Sequence, residues 1–98
     1  MNISKELLGT KLTMILEGRV DTSSAPQLDE ELSASLDGIT ELVLDLRAVG
    51  YLSSAGLRSI LTAQKRMNRQ GNLTVCNVCE SIMEVFEMTG FVDILNIV

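Results

Sequence analysis

Apolar and polar residues alternate over residues 11–17. Leu12, Met14 and Leu16 fall on one side, with Lys11, Thr13, Ile15 and Glu17 on the other. A period of two predicts a strand with one better-buried face. Residues 3–8 read as a weaker strand before it. Gly9-Thr10 between them predicts a tight turn, hence an antiparallel hairpin at one edge. The chain leaves this strand at Gly18-Arg19-Val20-Asp21, and the period changes. Leu28, Leu32 and Leu36 recur every four residues, with Ala25 extending the stripe, which predicts an amphipathic helix. Thr22-Ser23-Ser24 offers N-cap oxygens, Ser24 and Gln27 match a capping box, and Pro26 suits a first helical turn. Asp29, Glu30 and Glu31 read as a solvated face, and Asp37-Gly38 ends the helix.

Residues 41–46 are short and strongly apolar. They predict a buried strand, parallel to the second because a helix intervenes. Residues 47–52 read as a loop. From Ser54 onward Leu57, Ile60, Leu61 and Met67 restore a helical period. Lys65, Arg66 and Arg69 suit the C-terminal end of that helix, and Gln70-Gly71-Asn72 stops it. Residues 73–78 form a fourth expected strand. Residues 81–88 form a short helix with Ile82, Val85 and Phe86 inward, closed by Gly90, and residues 93–98 end as a turn or short strand. The order β-β-α-β-α-β-α calls for an α/β fold: a mixed, mainly parallel four-stranded sheet packed with helices, as one domain over residues 1–98. In such sheets function lies beyond the carboxyl ends of the strands. Two loops fall there, residues 18–24 and 50–58.

Composition narrows the function. Hydrophobic residues make up 46% and charged residues 21%, which fits a folded domain and argues against disorder. Aromatic residues are only 3% with no Trp, so Leu, Ile, Val, Met and Ala must build the core. Met14, Met67, Met83 and Met88 read as core filler. The formal net charge of −5 argues against binding nucleic acid or anionic lipid. The chain has no His, which removes Ser-His-Asp and Cys-His nucleophile systems, His-ligated metals and a His base. No apolar run approaches the ~18 residues needed to cross a bilayer. The expectation is a cytoplasmic, non-enzymatic protein with no cofactor and no metal. Its thiols, Cys76 and Cys79, should be reduced there.

The most informative stretch is Val49-Gly50-Tyr51-Leu52-Ser53-Ser54-Ala55-Gly56-Leu57-Arg58. Two serines fall where a helix begins, a place that tolerates anions. One of them has an ordinary role as N-cap. Gly56 is costly in a first turn, which points to close backbone approach by a partner or by a neighbouring segment. Arg58 follows Ser54 by about one turn, within reach of a phosphate or an acidic partner, and it equally suits a solvated surface. Asp21 suits the start of the first helix. Cys76-Asn77-Val78-Cys79 is a C-x-x-C between strand and helix. Packing explains it, and a thiol oxidoreductase is the alternative from another class.

Taken together, Leu44-Asp45-Leu46, Val49 and the run from Tyr51 to Arg58 resemble the signature of the STAS domain. Gly18-Arg19-Val20-Asp21 resembles that family's Gly-x-x-Asp element after the second strand. Val85-Phe86-Glu87-Met88-Thr89-Gly90-Phe91 resembles its closing helix and turn. The resemblance spans nearly the whole chain and implies an anti-sigma factor antagonist working by partner switching. The partner is then an anti-sigma factor that is also a GHKL-type serine kinase. The unmodified antagonist binds it and frees a sigma factor; phosphorylation of a serine reverses this, and a serine phosphatase resets it. By matching positions the phosphoacceptor is Ser54. The well-known antagonists carry Asp before it, where this chain has Ser53, a competing acceptor. The same resemblance places Asp21, Thr22, Ser23, Ser53, Ala55, Gly56, Leu57 and Arg58 at the partner surface. It also allows a stand-alone subunit of a stress-signalling or lipid-transport complex without a phosphorylation switch.

Overall fold

The computed structural model describes residues 1–98. Strands β1 (Asn2–Leu8) and β2 (Lys11–Val20) form the expected antiparallel hairpin. Helix α1 (Ala25–Ser35), strand β3 (Glu41–Leu52), helix α2 (Ser54–Gln70), strand β4 (Asn72–Cys76) and helix α3 (Glu80–Thr89) follow. A short 3-10 turn over Phe91–Asp93 leads into β5 (Asn96–Ile97). Strands run in chain order across the sheet, β1-β2-β3-β4-β5, and β2 to β5 are mutually parallel. The sheet thus has five strands where four were expected. The fifth is two residues long, too short to show a period, and Val98 N–H donating to Val75 O at 3.0 Å continues its pairing.

A parallel sheet that grows in one direction by right-handed crossovers receives every helix on the same face. The burial pattern agrees. Leu12, Met14 and Leu16 of β2, Leu42, Leu44 and Leu46 of β3, and Leu73 and Val75 of β4 all point into one cluster. Leu28 and Leu32 of α1, Ile60 and Met67 of α2, and Ile82 and Phe86 of α3 close it. Each fully buried side chain of this size contributes ~1.5–3 kcal/mol. Met14 and Met67 join this core, but Met88 does not: it is 85% exposed near the end of α3, and Met83 is half-buried. The other face of the sheet carries Thr13, Ile15, Val43, Thr74 and Cys76, half-buried and without a covering helix.

Residues 47–52 are not a loop. They continue β3, and β2 correspondingly runs to Val20 rather than ending at Glu17. Two bulges explain the difference. The pairing runs Ile15 to Asp45 and then Glu17 to Ala48, and later Gly18 to Val49 and then Arg19 to Tyr51. Each step inserts one extra residue in β3, so its buried positions become Leu46, Val49 and Leu52, three apart. The period of two is lost while the ladder persists. At the other end, β4 stops at Cys76, and Asn77 takes a left-handed φ of 57° to turn the chain toward α3.

Side chains of α2 fix α1 beside it. Arg66 donates to Ser33 O at 3.3 Å and pairs with Asp37 at 2.6 Å. Gln70 Nε2 donates to Leu36 O at 2.7 Å and to Ile39 O at 2.6 Å. These contacts tie carbonyls at and just beyond the end of α1 to the last turns of α2. The N-termini of α1 and α2 lie at the opposite end, beyond the carboxyl ends of β2 and β3.

Candidate functional site

Both loops singled out in the sequence meet at that end. Ser53 N–H donates to Val20 O at 2.8 Å, which ties the start of α2 to the end of β2. Thr22 and Pro26 on one side, with Ala55 and Arg58 on the other, line a groove of ≈ 420 Å³ between the two helices. Asp21, Thr22 and Ser23 therefore lie beside the residues that open α2.

Gly56 is explained by its neighbours. A Cβ there would lie 2.6 Å from Leu52 Cδ1, 2.8 Å from Val20 Cγ1 and 3.0 Å from Val20 O. The neighbouring segment, and not a partner, requires the glycine. Gly56 and Leu57 are both buried. Thr22, Ser23, Ser54 and Arg58 are exposed, while Asp21, Ser53 and Ala55 are half-buried.

The two serines have separate roles. Ser53 is the N-cap of α2, and its Oγ accepts the Gly56 N–H at 3.3 Å. Ser54 is the first helical residue, and its side chain is exposed. A hydroxyl there faces solvent next to the positive end of a 17-residue helix. Arg58, one turn further along the same helix, is exposed and forms no ion pair.

The start of α1 is capped differently from the expected box. Ser24 makes no side-chain cap; its Oγ donates to Arg19 O at 2.7 Å and accepts the Asp21 N–H at 2.9 Å. Gln27 instead donates to Met1 O at 3.1 Å. Asp21 closes the turn that leads into α1. Its Oδ1 accepts the Ser23 hydroxyl at 2.8 Å and the amides of Ser23 and Ser24 at 3.0 and 3.1 Å. The Ser23 hydroxyl, then the Ser24 amide, draw the Asp21 carboxyl down to about 2. It is therefore a fixed negative charge at neutral pH. Arg19 reaches it with Nε at 3.6 Å and lies over the Tyr51 ring at 4.1 Å.

A second carboxylate, from the Leu44-Asp45-Leu46 run, organises the β3 bulge, a role that its place in an apolar strand does not reveal. Asp45 is buried between Leu44 and Leu46. It receives Arg47 Nη2 at 2.6 Å, Arg47 Nε at 3.0 Å, the Arg47 amide at 3.0 Å and Asn77 Nδ2 at 3.1 Å. The Arg47 guanidinium is the main cause that pulls this carboxyl to about 2, against the opposing effect of burial. The cluster clamps the bulge to the end of β4.

The two thiols are not brought together as a matched pair. Cys76 pairs in register with Asp45 on the uncovered face, where burial and then the Asp45 charge push its pKa up. Cys79 packs against the apolar core as the N-cap of α3. The Ser81 hydroxyl beside it, at 3.3 Å, and the Ile82 amide push its pKa down. No helix is long and apolar enough to cross a membrane.

This arrangement has relatives. The STAS domain family matches residues 2–98, and the chain belongs to that family. It is 37% identical over 99 residues to the candidate anti-sigma factor antagonist BtrV of Bordetella bronchiseptica, covering 99% of this chain and 85% of that one. It is 32% identical over 83 residues to the anti-sigma-B factor antagonist of Bacillus subtilis, covering 84% and 76%. The phosphorylated form of the Bacillus cell fate determinant SpoIIAA shares the fold, with a TM-score of 0.77 at 15% identity over 99% and 91% of the two chains.

Proposed function

We propose that this chain is an anti-sigma factor antagonist switched at Ser54. With Ser54 unmodified it binds an anti-sigma factor of the GHKL serine-kinase type, which then releases its sigma factor. Phosphorylation of Ser54 by that kinase ends the contact, and a serine phosphatase restores it. The protein performs no chemistry itself; it is the substrate of both enzymes and acts in the cytoplasm. The named relatives support the antagonist role.

One observation carries the choice of residue. Ser53 Oγ is committed to the helix cap, whereas Ser54 is exposed beside it. The physics of the switch follows from that position. A phosphate adds about −1.5 to −2 charges and three acceptor oxygens. The domain accommodates it in water at a helix N-terminus, with Arg58 one turn away. A partner packed over Ser54 would have to desolvate that charge, and ~4 kcal/mol already weakens binding about a thousandfold. The contact surface is then Asp21, Thr22, Ser23, Ser54, Ala55 and Arg58, with Ser53, Gly56 and Leu57 holding it from beneath.

The test is incubation with ATP and each GHKL-type anti-sigma factor of the source organism, followed by peptide mass spectrometry. Phosphate should appear on Ser54 and vanish in Ser54→Ala. Full phosphorylation of Ser54→Ala would refute the assignment. Stable association with a membrane ATPase or a large assembly, with no phosphate on any serine, would favour the subunit reading without a switch.

A further inference from the structure

The only tyrosine of the chain is held outward at the edge of this surface. Regular alternation from Val49 would turn Tyr51 toward the helices and place Gly50 opposite Arg19. The second bulge in β3 prevents this: Gly50 is passed over, Arg19 pairs with Tyr51, and Val20 pairs with Leu52. Val20 and Leu52 are buried, and Tyr51 is 42% exposed. Bulges beside functional sites commonly re-aim a side chain in this way. The Arg19 guanidinium lies 4.1 Å from the centre of the Tyr51 ring. Both side chains precede by one residue the Val20 carbonyl and Leu52 that anchor Ser53.

The polar ends of this pair are only loosely held by the rest of the chain. The ion pair of Arg19 with Asp21 is a long one, Nε to Oδ2 at 3.6 Å. The Arg19 Nη atoms and the Tyr51 hydroxyl make no hydrogen bond within the chain. The hydrogen bonds from Ser23 and Ser24 all fall on Asp21 Oδ1, and Arg19 faces the other oxygen, Oδ2, from beyond hydrogen-bond distance. A guanidinium fork held over an aromatic ring fits a carboxylate, which it takes through two parallel hydrogen bonds. Tyrosine and arginine are also the residues most often found as interface anchors. Although the chain as a whole carries −5, Arg19 and Arg58 give this edge two exposed positive groups.

We propose that Arg19 and Tyr51 form an anchor of the docking surface that takes a carboxylate of the anti-sigma factor. The inference rests on the docking function proposed above and deepens it. It also gives the phosphate a second means of release. A negative charge added at Ser54 repels an acidic partner group that Arg19 and Arg58 attract.

Calorimetric titration of the anti-sigma factor that phosphorylates Ser54 tests this, using the unphosphorylated chain and its variants. Tyr51→Ala and Arg19→Ala should each weaken binding by about tenfold or more, the size expected of an anchor residue. Tyr51→Phe should stay within about threefold of the unaltered chain, because the stacked ring remains. Arg19→Glu should bind more weakly than Arg19→Ala, since it sets like charges together. Melting temperatures of the free variants should remain close to that of the unaltered chain. Equal affinity of all variants overturns the anchor and leaves the antagonist function standing. Arg19→Glu binding as well as Arg19→Ala overturns the carboxylate. A lowered melting temperature with unchanged affinity makes the pair a structural one. Failure of the unaltered chain to bind any anti-sigma factor overturns the antagonist function and the anchor with it.

Discussion

Gly56 lies against Val20 so closely that a methyl group on its Cα would stand 2.8 Å from Val20 Cγ1 and 3.0 Å from the Val20 carbonyl oxygen. The same carbonyl accepts the Ser53 amide at 2.8 Å. The start of α2 is thus pressed onto the end of β2, and this contact sets where Ser54 stands. Gly56→Ala should cost ~1–3 kcal/mol, as overpacking a filled site does. It should also displace Ser53 and Ser54. Urea unfolding checks the first effect and amide chemical shifts at residues 53–58 the second. An alanine variant as stable as the parent would show that α2 is free to move away.

Ser53 and Ser54 should respond differently to removal. Ser53→Ala loses the acceptor for the Gly56 N–H, a bond of 3.3 Å, and should destabilise the fold by ~0.5–1 kcal/mol. Ser54→Ala should leave the melting temperature nearly unchanged and abolish phosphorylation. A kinase that modifies Ser53 in the Ser54→Ala variant would reverse these roles.

Two carboxylates shape the acid limb of stability. Asp21 and Asp45 both titrate at about 2 in the folded chain, below the ~3.9 of an unfolded Asp. A lowered folded value means that their contribution is complete above the unfolded pKa and fades as pH falls from ~4 to ~2. Urea midpoints between pH 6 and 2 should therefore drop steeply at the acid end. Asp45→Asn and Asp21→Asn should each flatten that drop, and parallel curves for parent and variants would exclude these groups as its source. At neutral pH Asp45→Ala leaves Arg47 and Asn77 without their acceptor and should cost ~1–3 kcal/mol.

The thiols should react in order. Cys79, whose pKa is lowered by the Ser81 hydroxyl, should be alkylated by iodoacetamide before Cys76, whose pKa is raised by burial. Peptide mapping at partial modification reads this directly. Simultaneous loss of both thiols, or ready formation of a disulfide between them, would revive the redox reading.

Much of this was legible in the chain. Leu12, Met14 and Leu16, and the stripes of α1 and α2, announce their elements because each packs one face against a single core. The serines at the start of α2 are visible because caps have a narrow chemistry. The bulged half of β3 was not visible. Its buried Leu46, Val49 and Leu52 fall three apart, and nothing in a period-two reading marks an extra residue in only one strand of a pair. That loss concealed the exposure of Tyr51, which depends on Gly50 being passed over. The side-chain cap expected of Ser24 is absent for a related reason. Asp21 and Ser24 are both good caps, and only the path of the turn decides which oxygen meets the amides.

A phosphate on Ser54 should release the partner without refolding the chain. The most direct measurement compares the affinity of the anti-sigma factor for the chain before and after stoichiometric phosphorylation at Ser54, alongside amide spectra of both forms. Phosphorylation should lower the affinity about a thousandfold, with spectral changes confined to residues near the start of α2. Equal affinity of the two forms would contradict it, as would release accompanied by changes throughout the sheet.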